Sequence, residues 1–220
     1  MCRSTDIADY LLPVVGEYAL ALRYWRGFLS IADRVDAVNQ NEHGEVFRFL
    51  QSDFSELCVV RLASLFEVRT RNKVHSLPQL IRDLPAFTPI SGTVSIKFLE
   101  SPAYQLDAQD LASLASIESV SERIGHYYSL SKERVSGSLV AVKALRDQQI
   151  AHRDRNLAQP IHPAQGDIEE LFVLARRTIN LIFATYRNPE IAADGQPIAG
   201  VGWGYPGLER ALNEMVDPVS

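Results

Sequence analysis

The chain has 220 residues, of which 46% are hydrophobic and 22% charged, so it can form one large domain with a sizeable core. Its formal net charge of -5 excludes a general attraction to nucleic acid or anionic lipid, so any RNA or DNA contact needs a local basic patch. No apolar run approaches the roughly 18 residues that span a bilayer, and no secretory leader is recognisable, so we expect a cytoplasmic protein without a membrane partner.

The two cysteines provide neither a disulfide framework nor the spacing of a metal site. Cys58 is expected to be a small buried hydrophobe within a helix. No pair of histidines or carboxylates has a spacing such as HExxH, and the glycines at 200–204 lack the surroundings of a phosphate-binding loop. We therefore expect no metal and no cofactor.

The N-terminal half is predicted to contain two long amphipathic helices. Apolar residues at i+3 and i+4 predict a helix over residues 5–39, which Pro13 either begins or kinks. After a polar break, a second helix is predicted over 45–68, and its two apolar faces favour a central position in a bundle. The faces consist of Val46, Leu50, Leu57 and Val60, and of Phe47, Phe54, Cys58 and Leu65.

A short helix and a loop are predicted to follow. Ser76 is the expected N-cap of a helix over 77–84, with Pro78 in its first turn. Residues 85–106 are interpreted as a loop, because the strand-like run at 93–98 is too isolated to support a sheet. Asp107 is then expected to cap a helical region that extends to Arg155, either continuous or broken near 129–131.

The remaining sequence completes an all-α prediction. Prolines and Gly166 interrupt the chain, and Asp167 is expected to open a last long helix that ends near Arg187. Its predicted apolar stripe consists of Ile168, Leu171, Leu174, Ala175, Thr178, Leu181 and Ile182. Residues 188–220 form a Gly/Pro-rich tail, with a short helix at 208–215 expected to pack on the domain. The pattern predicts an all-α bundle of four or five long helices, in which residues 1–187 form a single domain.

The helix before residue 160 has an apolar face that becomes polar at its C-terminal end. The apolar positions are Val135, Leu139, Val142 and Leu145. At about 100° per residue, Gln149 continues the centre of this face, and Arg146 and His152 lie about 60° to either side. Such an end is either a group of polar side chains buried in the core or an active site.

His152 is the histidine best placed for proton transfer. The helix C-terminus favours its imidazolium, whereas Arg146, Arg153 and Arg155 oppose that charge, and the sequence leaves the balance open. Arg146 can bind a phosphate bidentately, and Asp147 or Gln149 can orient either group. Of the other histidines, His43, His75 and His162 are expected in loops or at the surface, and His126 in a hydrogen-bonded interface.

Spacing alone does not identify this site. An arginine also precedes His75 and His162 at a similar distance, so three of the five histidines fit the same pattern. Arginine and histidine are also common in the last turn of a helix because they complement its dipole.

The surroundings of the motif are more specific. The run Leu-Arg-Asp-Gln-Gln-Ile-Ala-His-Arg-Asp at 145–154 ends a long helix that follows a helical hairpin, and another amphipathic helix lies downstream. The upstream runs are Arg-Leu-Ala-Ser-Leu-Phe-Glu at 61–67, Thr-Arg-Asn-Lys at 70–73 and Ser-Leu-Pro-Gln-Leu at 76–80. Over residues 28–187 the chain resembles the HEPN superfamily of nucleotide-binding and RNase domains, and within it the abortive-infection (AbiU-type) branch.

The resemblance implies a metal-independent endoribonuclease of phage defence or of a toxin–antitoxin pair. Arg146, His152 and Asp147 would be the catalytic residues, with Gln149, Arg153 and Arg155 binding the RNA. It also implies a homodimer with facing motifs and an antitoxin partner. Some such antitoxins modify a tyrosine just after the histidine, but this chain has no tyrosine there.

Two other hypotheses remain open. The chain could be a non-catalytic helical module that binds a nucleotide, RNA or partner protein through the Arg-His end. It could also be an interaction protein in which Arg146 pairs with an acidic residue and His152 caps the helix. Exposure discriminates between them, because an open basic cleft favours the enzyme and covered, internally paired side chains favour a structural role.

Overall fold

The computed structural model describes residues 6–40, 43–68, 75–90, 106–147 and 163–187. All regular secondary structure in these ranges is helical, which confirms the predicted all-α fold. The strand-like run at 93–98 and the tail with its expected helix at 208–215 lie outside the described residues. Within the same ranges, no helix combines the length and apolar character needed to cross a membrane.

Eight α-helices occupy the described ranges, and five of them have ten or more residues. The helices are α1 (Ala8–Ala32), α2 (Val35–Gln40), α3 (Gly44–Leu65), α4 (Leu77–Asp83), α5 (Ala108–Ala115), α6 (Val120–Arg134), α7 (Ser136–Leu145) and α8 (Gln165–Tyr186). A 3-10 turn, Leu84–Ala86, follows α4.

The core forms where α8 packs against its neighbours. α1 makes its most extensive contact with α3, and α8 packs on α1, α6 and α7. The apolar stripe predicted for α8 is buried throughout, and burial of such surface is the main favourable term in folding. The stripe consists of Ile168, Leu171, Leu174, Ala175, Thr178, Leu181 and Ile182.

The first predicted helix is in fact two helices, so the prediction of one continuous helix is wrong. The chain turns at Asp33 and Arg34, where the Arg34 guanidinium donates to the Ser30 carbonyl at 3.1 Å. This turn places Val38 of α2 in a small buried cluster with Ile31, which the periodic pattern alone does not encode. Pro13 lies inside α1 instead of starting it.

The two apolar faces predicted for α3 differ in their burial. Cys58 and Leu65 are fully buried, whereas Val46 and Leu57 are 58% and 40% exposed. The face that contains Val46 and Leu57 is therefore partly at the surface, although its Leu50 packs against Ile31 and Val38. Helix α3 contacts α1, α2, α7 and α8, as a central position predicts.

Gly44 starts α3 at a point where two helices approach closely. The residue is buried, and a Cβ atom there would overlap the carbonyl oxygen of Val38 in α2. Only glycine allows the backbone to come this near. The sequence indicates only a polar break between two helices at this point.

Helix α4 has the predicted position but not the predicted cap. It runs from Leu77 to Asp83, and Pro78 lies in its first turn. Ser76 has the extended backbone of an N-cap, but its hydroxyl makes no capping hydrogen bond. The expected capping bond is therefore absent at this serine.

The predicted helical region from Asp107 is divided at two places. Asp107 caps α5 as expected, since its carboxylate accepts from the Asp110 amide at 2.8 Å. The chain then breaks before Ser119, whose hydroxyl accepts from the amide of Glu122 at the start of α6. A turn at Val135 separates α6 from α7, so the alternative break near 129–131 is misplaced.

Helix α8 begins at Gln165, two residues before its predicted start. Asp167 lies in the first turn, and its carboxylate accepts from the backbone amide of Ala164 at 2.7 Å. A carboxylate in the first turn also interacts favourably with the positive end of the helix dipole. Asp167 thus supports the start of α8 from within the helix.

Cys58 should be chemically inert in the folded protein. Burial raises the pKa of its thiol from 9.0 to about 12. Because only the thiolate reacts, we expect DTNB near pH 8 to label Cys58 about a thousandfold more slowly than an exposed cysteine. The measurement uses a Cys2→Ser variant, with the same protein in guanidinium as the control. Rapid labelling without denaturant would contradict the burial of this helix face.

Candidate functional site

The end of α7 carries the polar residues that the sequence singled out. The predicted apolar face is buried at Val135, Leu139 and Val142, and it packs towards α3 and α8. The α-helix ends at Leu145, and Arg146 and Asp147 adopt a π-helical turn. Such turns are rare and are frequently found at functional sites.

Arg146 is held by two carboxylates. Its Nη1 donates to Oε2 of Glu67 at 2.6 Å, and its Nε donates to Oδ1 of Asp147 at 2.7 Å. The Arg146 side chain is 20% exposed, and that of Glu67 is 26% exposed. The hydrogen bond to Asp147 raises the pKa of Arg146 most, and the bond to Glu67 adds to it against the effect of desolvation.

Lys143 is a further charged residue at this place, and the sequence pattern did not single it out. It precedes Arg146 by three residues, and its Nζ donates to the carbonyl oxygen of Phe66 at 3.5 Å. Partial burial lowers the pKa of Lys143, Glu67 raises it, and Lys132 lowers it further. Residues three apart share a helix face, which is the signal that could have identified Lys143.

These residues form a cluster that joins the end of α3 to the end of α7. Its cations are Lys143 and Arg146, and its anions are Glu67 and Asp147. The charges of these four residues balance one another.

The structure places only part of the predicted site. Arg146 and Asp147 are in direct contact. The other predicted site residues lie outside the described residues, namely Gln149, His152, Arg153 and Arg155. The distance between Arg146 and His152, on which the catalytic hypothesis depends, therefore stays a prediction.

The other described histidines fit their predicted roles. Nε2 of His126 lies 2.7 Å from the Ser113 hydroxyl, which confirms a hydrogen-bonded interface between α5 and α6. His43 and His75 are exposed at the surface. Within the described ranges, no three His, Cys, Asp or Glu side chains come together as a metal site would require.

Arg146 meets the condition that favours a structural role, because it is mostly covered and internally paired. The same pairing also shows what a phosphate would encounter. The guanidinium holds its N–H donors in one rigid plane. Here Nη1 binds the Glu67 carboxylate, and Nε binds the Asp147 carboxylate. An anion bound through two neighbouring nitrogens would compete with one of these carboxylates.

The sequence matches no protein-family model, no curated protein and no solved structure. The resemblance to the HEPN superfamily therefore rests on the runs at 61–67, 70–73, 76–80 and 145–154 and stays an expectation.

Replacement of Arg146 by alanine should lower the free energy of unfolding by about 1 kcal/mol or more, because Glu67 would lose its partner in a partly covered position. Urea denaturation measures this change. The matched control is Arg61→Ala, which removes a pair with Glu17 at 3.1 Å in which the arginine is 40% exposed. Exposed pairs contribute at most about 1 kcal/mol, so the control should lose less. A larger loss for the control would contradict the Arg146–Glu67 contact.

Proposed function

We propose that the chain is a metal-independent endoribonuclease of HEPN type that acts in phage defence or as the toxin of a toxin–antitoxin pair. In this proposal Arg146 stabilises the charge that develops on the scissile phosphate, and His152 transfers a proton. Asp147 orients Arg146, with which it is in contact. Gln149, Arg153 and Arg155 contact the RNA on either side.

The observation that carries the proposal is the contact between the end of α3 and the end of α7. The resemblance rests on separate runs of sequence, and two of them, 61–67 and 145–154, meet through Glu67 and Arg146 at 2.6 Å. Lys143 adds a second contact at the same place, to the carbonyl of Phe66. Two runs that share a site are expected to lie together, and runs that merely resemble a family by chance are not.

The chemistry follows from the residue types. The ribose 2′-OH attacks the adjacent phosphorus and loses its proton, while the 5′-oxygen leaves and gains one. The products are a 2′,3′-cyclic phosphate and a 5′-hydroxyl end. Arg146 is suited to the negative charge that builds on the non-bridging oxygens, because a guanidinium remains charged at any pH of interest.

A homodimer is part of the proposal. Two protons move in the reaction, and the motif supplies one histidine per chain, so a second copy would complete the set. Lys143 and Arg146 would provide the cations for contact with a phosphodiester in an otherwise acidic chain. We further propose that the protein works in the cytoplasm with an antitoxin protein as its partner.

The alternative is a non-catalytic helical module that binds a nucleotide, RNA or a partner protein. The internal pairing of Arg146 with Glu67 and Asp147 favours it, because a covered guanidinium is also suited to holding two helices together. In this alternative, loss of the pair would affect stability and binding but no reaction.

The test is an RNA cleavage assay on the full chain with tRNA and total RNA, in EDTA and at about pH 6 to 8, followed by analysis of the product ends. The proposal expects cleavage that leaves 2′,3′-cyclic phosphate. If the chain cuts no RNA under these conditions, the alternative is favoured. If the products carry a 3′-hydroxyl, the proposed reaction is wrong.

A further inference from the structure

We infer that Glu67 competes with phosphate for Arg146, so that an anion enters this site by displacing the Glu67 carboxylate. The inference rests on the proposed function for the role of the site but concerns only anion binding. Its ligand is a phosphate oxyanion, either free or within an RNA backbone.

The competition follows from the geometry of the Arg146 guanidinium. Nη1 of Arg146 donates to Glu67, and Nε donates to Asp147, so both edges of the planar group are partly engaged. A phosphate bound bidentately needs two neighbouring nitrogens at once. Such a phosphate therefore competes with one of the two carboxylates for a guanidinium nitrogen.

Glu67, and not Asp147, is the carboxylate that a phosphate would displace. Asp147 is the chain neighbour of Arg146 and binds its Nε, so it can keep this contact while an anion takes the Nη1–Nη2 edge. Glu67 follows the end of α3 and binds Nη1, so an anion at that edge takes its place. Without the Glu67 charge, Lys143 and Arg146 would lose one of the anions that act on both.

The position of Glu67 also disfavours a second anion beside it. It lies two residues beyond the end of α3, where the carbonyl ends of the helix disfavour a negative charge. Arg146 at 2.6 Å and the nearby Lys143 offset this effect. A phosphate would bring a second negative charge to the same place. The two anions would repel each other, so each would weaken the binding of the other to Arg146.

The experiment compares Glu67→Gln with wild type. Binding of a fluorescein-labelled 2′-O-methyl RNA decamer is followed by fluorescence anisotropy, and inorganic phosphate is titrated separately as a competitor. We expect Glu67→Gln to bind the decamer about 5- to 10-fold more tightly at low salt, with a smaller gain at high salt. The gain should disappear in the double variant Glu67→Gln with Arg146→Ala.

The matched control is Glu17→Gln, which removes the same charge from the Arg61 pair elsewhere on the surface. It should leave the affinity unchanged. If both variants tighten binding equally, net charge explains the effect and the inference is wrong. Unchanged or weaker binding by Glu67→Gln also overturns it.

A second variant guards against misfolding. Glu67→Asp keeps the charge but withdraws the carboxylate by one methylene, and we expect an affinity between those of wild type and Glu67→Gln. Competition by inorganic phosphate that is stronger in Glu67→Gln assigns the site to a simple oxyanion, whereas tighter decamer binding without that competition assigns it to an RNA backbone. Both outcomes support the displacement, and neither requires RNA cleavage. Tighter binding by a protein that cuts no RNA would refute the nuclease and leave the inference standing.

Discussion

Substitution of His152 by alanine is expected to lower the rate of RNA cleavage by about 100- to 10000-fold, because proton transfer by a positioned side chain contributes by that factor. Arg146→Ala is expected to lower it by about 100- to 1000-fold, since one donor to the developing charge is lost. Initial rates on a labelled RNA of defined sequence measure both effects.

The controls use the same residue types elsewhere. His75→Ala changes an exposed histidine that also follows an arginine at a similar spacing, and Arg61→Ala removes an arginine from another Arg–Glu pair. Both should retain wild-type rates. If His75→Ala lowers the rate as much as His152→Ala does, the assignment of the active site to the end of α7 is wrong.

Gly44→Ala should lower the free energy of unfolding by about 3 kcal/mol, because overpacking at a rigid contact costs on this order. The added Cβ would meet the Val38 carbonyl, which is backbone and cannot rotate away as a flexible side chain can. Urea denaturation with far-UV circular dichroism measures the change. Wild-type stability would contradict the close approach of α2 and α3.

Gly16→Ala is the matched control for this effect. Gly16 lies within α1, and nothing in the described structure lies within 4 Å of an added Cβ there. Alanine is the better helix former, so we expect a gain of about 0.5–1 kcal/mol. The two glycine variants should therefore change stability in opposite directions.

The sequence predicted the buried helix faces well, because a helix that packs on a core must repeat its apolar residues every three or four positions. The stripe of α8 and the residues Val135, Leu139 and Val142 of α7 are examples. The exposure of Val46 and Leu57 was not predictable in the same way, since periodicity gives the faces of a helix but not the number of neighbours that cover them.

Two breaks between helices were not predicted, and the reason differs from that for the exposed residues of α3. Neither the turn at Asp33 and Arg34 nor the one before Ser119 contains glycine or proline, so the usual punctuation is absent. Side chains make these turns instead: Arg34 binds the Ser30 carbonyl, and Arg123 binds the carbonyl of Ile117 at 3.1 Å. A Ser-x-x-Glu pattern from Ser119 was the one available local signal.

The site was predictable at Arg146 and Asp147 but not at Lys143 or Glu67. Arg146 and Asp147 are neighbours in the chain, and a helical pattern places both at the end of α7. Glu67 lies 79 positions earlier, and only the folded chain brings it to Arg146. Local patterns cannot supply such a contact, because it depends on how α3 and α7 pack.

The most direct test of the account is whether Arg146 and His152 bind the same phosphodiester. NMR spectra of the Arg146 Nε–H and the His152 ring can be followed during titration with the uncleavable 2′-O-methyl RNA decamer. We expect both signals to shift and to saturate at the same RNA concentration, and the His152 signal not to shift in Arg146→Ala. Shifts that saturate at different concentrations, or that affect only one of the two residues, would contradict a shared catalytic site.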